Sequence, residues 1–254
     1  DNHVHLNLVS TGTFQNAQEE HTIVKRELDG EADGVIVEPY SSEADVILPT
    51  ESAKPVVLVG TGIETDRLFT SVMTDHGKLG KSLADAVIQG KAVKVGILSG
   101  NQSQLGMRQR LKSVKDKLEE AGIEISWILS EKELDKKMRN VEYFAEQPVD
   151  TVISLDNDDT EKAVDIILND DRISWKLYGE GRSEKLIYYL DKGTIQELAV
   201  PNEYYMGYQS IVLAAQNIRY YTDKTEQAEV EFYMVSKDNL YDEETSRILF
   251  PAVR

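Results

Sequence analysis

The chain has 254 residues, no cysteine, and 45 acidic against 28 basic side chains, for a formal net charge of −17; its length suits one large α/β domain or two lobes of about 100 residues each. The absence of cysteine excludes disulfides, thiolate metal sites and cysteine nucleophiles, while the negative field repels phosphate backbones and anionic membrane surfaces, so no direct nucleic-acid partner is expected. Neither an apolar run of 18 residues nor a charged-then-apolar leader is present, so the sequence as given is read as carrying no membrane span and no export signal of its own.

Apolar runs of strand length recur, each followed by a longer stretch. In chain order they are HVHLNLVS, DGVIVEP, KPVVLVG, VKVGILSG, IEISWILS, VDTVISLD and SWKLYGEG. Between them FQNAQEEHTIVKREL, KLGKSLADAVIQ, QLGMRQRLKSVKDKLEEAG, EKELDKKMRNVEYFAEQ and DDTEKAVDIIL space apolar residues three and four apart, as amphipathic helices do. Several end on helix-stop chemistry: Gly30, Gly90, Gly122, and Gln147 ahead of Pro148. This alternation predicts an α/β fold of parallel sheets with helices on both faces. Near the C-terminus YYMGYQSIVLAAQNIRYY reads as one long helix, apolar at Met206, Ile211, Val212, Ala214, Ala215 and Ile218. AEVEFYMVSK reads as a strand and DNLYDEETSRILFPAVR as a short capped tail. No low-complexity tether divides the chain, so two lobes would be joined by several short crossovers.

In an open parallel sheet, ligands bind beyond the carboxyl ends of the strands. Those positions hold Glu38 after GVIV, Gly60 and Thr61 after PVVLV, Ser99 to Gln104 after VGIL, Asp156 after TVISL, and Glu180 with Arg182 after WKLYG. Arg108 and Arg110 stand near the start of the helix after VKVGILSG, where the helix dipole disfavours cations. A solvated face and a ligand-binding role are both open for them.

The succession DGVIVEPYSSEAD, KPVVLVG, FTSVMTDHGKLGKSLADAV, KVGILSG with MRQRLKSV, VDTVISLDNDD, YGEGRSEK, VPNEYYMGYQSIVLAAQNI and VSKDNLYDEE resembles the type I periplasmic binding proteins. More narrowly, it is similar to their sugar-binding branch, which shares its fold with the effector domains of LacI-type repressors. The resemblance runs from about Val4 to Tyr241. It implies two Rossmann-like lobes joined by a three-crossover hinge, one comprising 1–75 plus 202–227 and the other 76–201 plus 228–254, with a small polar ligand held in the interlobe cleft. It further implies that Arg110 donates to ligand oxygens, with Glu38 and Asp156 as acceptors. Thr61, Glu180 and Arg182 complete the expected ligand-binding set, Glu180 and Arg182 being equally able to pair with each other. The chain departs from the family pattern at Gly60 and Thr61, where an aspartate and an arginine are frequent, and at Gly181, which takes the place of an aspartate. It also departs at Pro201, where a glutamine is usual. The match begins at the family's second strand, so the first strand and helix, whose loop supplies asparagine and aromatic groups, have no counterpart here. An N-terminal sheet without that strand is expected to have an unpaired position.

The function so implied is an extracytoplasmic solute-binding protein or sensor domain for a carbohydrate, anchored through a part outside this chain. Its partners are the small-molecule ligand and a membrane permease or sensor kinase; no cofactor, no metal and no catalysis are expected. An effector domain of a transcription regulator keeps the same fold. An enzyme reading rests on Asp156, Asp158 and Thr160, whose DxDxT spacing is that of haloacid dehalogenase-like phosphatases, with one carboxylate attacking and one protonating the leaving group. Against it, Asp158 or Asp159 as a helix N-cap accounts for the same acids. The HxH pair His3 and His5 lacks a third metal ligand, and Tyr204, Tyr205 and Tyr208 are read as half-buried helix residues, one or two of which could stack on a ligand.

Overall fold

A computed structural model describes residues 4–9, 16–43, 54–138, 142–220 and 225–250. The chain forms two units. The first comprises Asp1–Thr74, Ser103–Gly106 and Glu203–Val230, and the second Asp75–Gln102, Met107–Asn202 and Glu231–Arg254. Three crossings join the main segments, at Thr74/Asp75, Asn202/Glu203 and Val230/Glu231, and Ser103–Gly106 is a short excursion into the first unit.

In the first unit four short strands lie side by side and parallel: β1 (Val35–Val37), β2 (Val56–Val59), β3 (Thr70–Met73) and β9 (Gln227–Glu229), in that spatial order. Successive strand residues point to opposite faces, and β2 shows the consequence. Leu58 joins Val24 and Leu28 of helix α1 (Ala17–Asp29) on one face. Val57 joins Val72, Val230 and the residues Met206, Leu213 and Ala214 of helix α8 (Glu203–Tyr220) on the other. Asn16 caps α1 by accepting the backbone N–H of Glu19 at 3.1 Å.

The strand expected over HVHLNLVS does not form at Val4–Val9, and Leu8 is 88% exposed. An alternating pattern makes a strand only when a neighbour takes its backbone hydrogen bonds, and β1 is the outer strand of this sheet among the described residues. AEVEFYMVSK is likewise not one strand. The crossing at Val230/Glu231 cuts it into β9 and β10 (Phe232–Ser236), which belong to different sheets. Tyr204, Tyr205 and Tyr208 are exposed rather than half-buried.

The second unit is built on six strands ordered β10-β8-β7-β6-β4-β5. These are β4 (Lys94–Leu98), β5 (Glu124–Leu129), β6 (Thr151–Ser154), β7 (Lys176–Glu180), β8 (Ile195–Pro201) and β10. All pair in parallel except β10, which runs antiparallel to β8. Helices α2 (His76–Gln89) and α3 (Leu105–Glu120) cover one face, where Leu79, Leu83, Val87, Val114 and Leu118 pack with Val95, Ile97 and Ile153. The other face carries α4 (Glu131–Met138), α5 (Glu142–Glu146), α6 (Asn157–Asn169), α7 (Glu184–Lys192) and α9 (Glu243–Leu249). There Phe144 sets its ring edge-on against Trp127 at 5.9 Å and Trp175 at 5.3 Å. EKELDKKMRNVEYFAEQ is helical over α4 and α5, with residues 139–141 between them outside the described set.

Candidate functional site

In the second unit β4 has β5 on one side and β6 on the other, so the chain reverses direction across the sheet between β4 and β6. Crevices at such switch points, beyond the carboxyl ends of the strands, are where open α/β sheets take ligands. The described groups at that point are Ser99 and Gly100 after β4, Leu155 and Asp156 after β6, and Arg110, which α3 sends back from its second turn.

Arg110 is buried, and its guanidinium is held on three sides. Nη1 donates to the Leu155 carbonyl at 2.6 Å and lies 3.2 Å from Glu180 Oε2, while Nε donates to His76 Nδ1 at 3.0 Å. The cation that the dipole of α3 disfavours is thus neutralised by Glu180 at the end of β7 and hydrogen-bonded by the Leu155 carbonyl just after β6. Arg108 is the less buried of the two, and its Nη1 donates to the Gln102 carbonyl at 3.2 Å.

Asp156 is the N-cap of α6, the role that sequence alone gives to Asp158 or Asp159. Its Oδ1 accepts the Asp159 N–H at 2.8 Å. Its other oxygen lies over Gly100, where a Cβ would stand 2.2 Å from Oδ2 and the backbone φ is +63°, so only glycine admits this approach. Burial pushes the Asp156 carboxyl above its usual range, and Asp158 and Glu131 add to the rise. The Asp159 N–H and the charge of Arg110 work against it.

Asp159, fully buried one turn into α6, accepts the Gly100 N–H at 3.2 Å and faces Lys162 Nζ at 3.3 Å, while Lys162 also reaches Asp135 at 2.8 Å. Burial, and then the neighbouring Asp156, push Asp159 up to about 7. Two carboxylates meeting at Gly100 therefore resist carrying two charges. Thr160 Oγ1 donates to the carbonyls of Asp156 at 2.6 Å and Glu180 at 2.9 Å. In the DxDxT segment Asp156 and Thr160 thus serve to seat α6 against β7. Past Glu180, the Arg182 N–H donates to Asn157 Oδ1 at 3.2 Å, and its Nη1 reaches the Ile248 carbonyl at 3.4 Å.

The remaining expected residues lie in the first unit. Glu38 is exposed at the carboxyl end of β1, its carboxylate against Gly60 at the end of β2. Thr61 is buried, with Oγ1 accepting the Gly106 N–H at 2.9 Å. The structure thus brings Arg110, Asp156 and Glu180 together within the second unit and places Glu38 and Thr61 in the first.

Sequence context marks neither His76 nor Glu20 as a site residue, and it offers Asp159 a different role. His76 contacts Arg110 across 34 positions, and no local pattern announces that pairing. Asp159 was legible only as a cap. Glu20 of α1 is buried, with Oε1 accepting the Tyr40 N–H at 2.8 Å. Burial raises its carboxyl, with Glu38 adding to the rise. His3 lies outside the described residues, and among the described ones no group of three His, Cys, Asp or Glu side chains could hold a metal ion.

Parallel sheets covered by helices on both faces, in two units joined by three crossings and with charged groups gathered beyond the strand ends, define a two-unit α/β binding fold. The family described as periplasmic binding protein domain matches residues 1–221, and the chain belongs to it. A carbohydrate transporter solute binding protein from Agrobacterium radiobacter, in complex with D-arabinose, is similar in fold with a TM-score of 0.79 at 16% identity, over 90% of this chain and 82% of that one. A Caulobacter myo-inositol binding protein bound to myo-inositol has a TM-score of 0.79 at 18% identity, over 92% and 83% of the two chains. A glucose-galactose binding protein from Geobacillus stearothermophilus has a TM-score of 0.77 at 22% identity, over 89% and 84%. No curated protein matches the chain in sequence. All three structures are described as binding proteins and none as an enzyme.

Proposed function

We propose that the protein is an extracytoplasmic solute-binding protein or sensor domain for a small, uncharged, hydroxyl-rich ligand, a carbohydrate or polyol. The observation that carries this reading is the buried Arg110 at the β4/β6 switch point with its charge matched by Glu180. A neutralised guanidinium draws an anion only weakly. It still offers charge-assisted hydrogen bonds to hydroxyl oxygens, and Asp156 beside it can accept a hydroxyl proton. Arg110, Asp156 and Glu180 of the second unit, with Arg182 after them, and Glu38 and Thr61 of the first are the proposed contacts. The two units are proposed as the two lobes, with β9 (Gln227–Glu229), which the division at 227/228 would split, belonging whole to the first. Family membership favours a setting outside the cytoplasm, and no helix among the described residues is long and apolar enough to cross a membrane. Binding without catalysis, and delivery or signalling to a membrane permease or sensor kinase, follow from the same reading.

Thermal unfolding against D-arabinose, D-glucose, D-galactose, myo-inositol and D-glucuronate tests it. A ligand at one hundred times its Kd stabilises the fold by about 2.7 kcal/mol, so at least one neutral compound is expected to raise the Tm and glucuronate is not. Arg110→Ala is expected to weaken binding of that compound by about 1.5 to 3 kcal/mol. No rise with any neutral sugar or polyol, or a rise with glucuronate alone, refutes the reading.

A further inference from the structure

The guanidinium of arginine is planar and carries five N–H donors. In Arg110 the Nε hydrogen goes to His76 Nδ1 at 3.0 Å, and Nη1 is taken by the Leu155 carbonyl at 2.6 Å and the Glu180 carboxylate at 3.2 Å. Glu180 and Leu155 both grip Nη1, one end of the group, and a group held at one end can still pivot. The contact at Nε removes that freedom. It comes from a different element, the first turn of α2, immediately after the cap residue Asp75, whose carboxylate accepts the Lys78 N–H at 2.8 Å. Because arginine stays protonated, its Nε can only donate. His76 Nδ1 must therefore be bare, and the neutral ring carries its hydrogen on Nε2.

We propose that His76 is a positioning residue for ligand binding: its Nδ1 fixes the plane of the Arg110 guanidinium, so that Nη2, which has no hydrogen-bond partner among the described residues, is presented at the switch point as a donor pair. The inference rests on the reading of Arg110 as a ligand contact. It adds a residue outside the strand ends, at the start of the segment where the chain passes from the first unit into the second.

Two substitutions separate positioning from space-filling. His76→Asn keeps an acceptor, since the asparagine Oδ1 falls near the place of Nδ1, whereas His76→Leu keeps the volume and removes the acceptor. The first measurement needs no ligand. Long-range proton–nitrogen NMR of histidine-labelled protein is expected to show His76 with a bare Nδ1 and a protonated Nε2. The Arg110 Nε–H resonance is expected to move in His76→Leu and to stay near its wild-type position in His76→Asn. The second is calorimetric titration with whichever of D-arabinose, D-glucose, D-galactose or myo-inositol gives the largest thermal shift. His76→Leu is expected to weaken binding about tenfold, the worth of one charge-assisted hydrogen bond, and His76→Asn by less than about threefold, at equal Tm without ligand. A ring protonated on Nδ1, or Asn and Leu variants that behave alike, overturns the proposal. If none of the sugars binds the wild type, the functional reading fails, and the NMR result alone decides the positioning role.

Discussion

Nη1 of Arg110 and Oε2 of Glu180 stand 3.2 Å apart with side-chain exposures of 8% and 9%. Removing one member of so buried a pair leaves the other desolvated and unmatched, a loss of about 3 to 5 kcal/mol. Glu180→Ala is therefore expected to shift the urea midpoint sharply downward. Glu180→Gln, which keeps an oxygen beside Arg110, is expected to shift it less. Equal, small effects of both would mean that the pair contributes nothing to stability.

Asp159 carries a pH signature. Its carboxyl is raised from 3.8 to about 7 in the fold, so between those values the native state binds more protons than the unfolded chain. Stability then falls as pH rises through that window. Asp159→Asn keeps an oxygen for the Gly100 N–H and cannot ionise, so its stability is expected to decline less from pH 4 to pH 7 than that of the wild type. Parallel stability–pH curves from urea denaturation would contradict this.

Gly80 lets α2 approach α3 at the turn that bears Arg110. A Cβ there would lie 2.5 Å from the Arg110 carbonyl oxygen and 3.1 Å from its Cα. Backbone cannot yield as a side-chain tip does, so Gly80→Ala is expected to cost about 1 to 3 kcal/mol. It is also expected to lower the affinity for any sugar the protein binds, because the helix it displaces holds the guanidinium. Unchanged stability and affinity would show that the two helices separate freely.

Phe144 fills the core between two indoles. Phe144→Ala is expected to lower stability by about 3 to 5 kcal/mol, read as a lower urea midpoint by circular dichroism. A loss under 1 kcal/mol would mean that Trp127 and Trp175 close over the gap.

The parallel-sheet architecture was legible because β2 and β4 are buried on both faces and so are written as near-continuous apolar runs, VVLV and VGIL, while β6 buries Val152 and Ile153 between Thr151 and Ser154. Where burial is interrupted the signal weakens. In β8, Ile195 is followed by Gln196 and Glu197 before Leu198, Ala199 and Val200 return to the core, and that strand is not among the apolar runs picked out by pattern. Val4–Val9 errs the other way, its alternation being strand-like in composition but unpartnered. The division of Ala228–Lys237 depends on a crossing that no residue type marks, since Val230 and Glu231 could continue either strand. At the site, strand-end residues follow from topology alone. The link from His76 to Arg110 depends on how closely α2 and α3 pack, which resides in Gly80 and in contacts far apart in sequence.

Trp127 and Trp175 are the only indoles of the chain and sit 6.0 Å apart in the core of the second unit. Indole emission therefore watches that half of the molecule alone, whereas far-ultraviolet dichroism follows helices in both. Recording one melt with both signals turns this lopsided placement into a built-in gauge of cooperativity. Coincident curves mean that the halves come apart as one body, and curves that separate give the melting temperature of each.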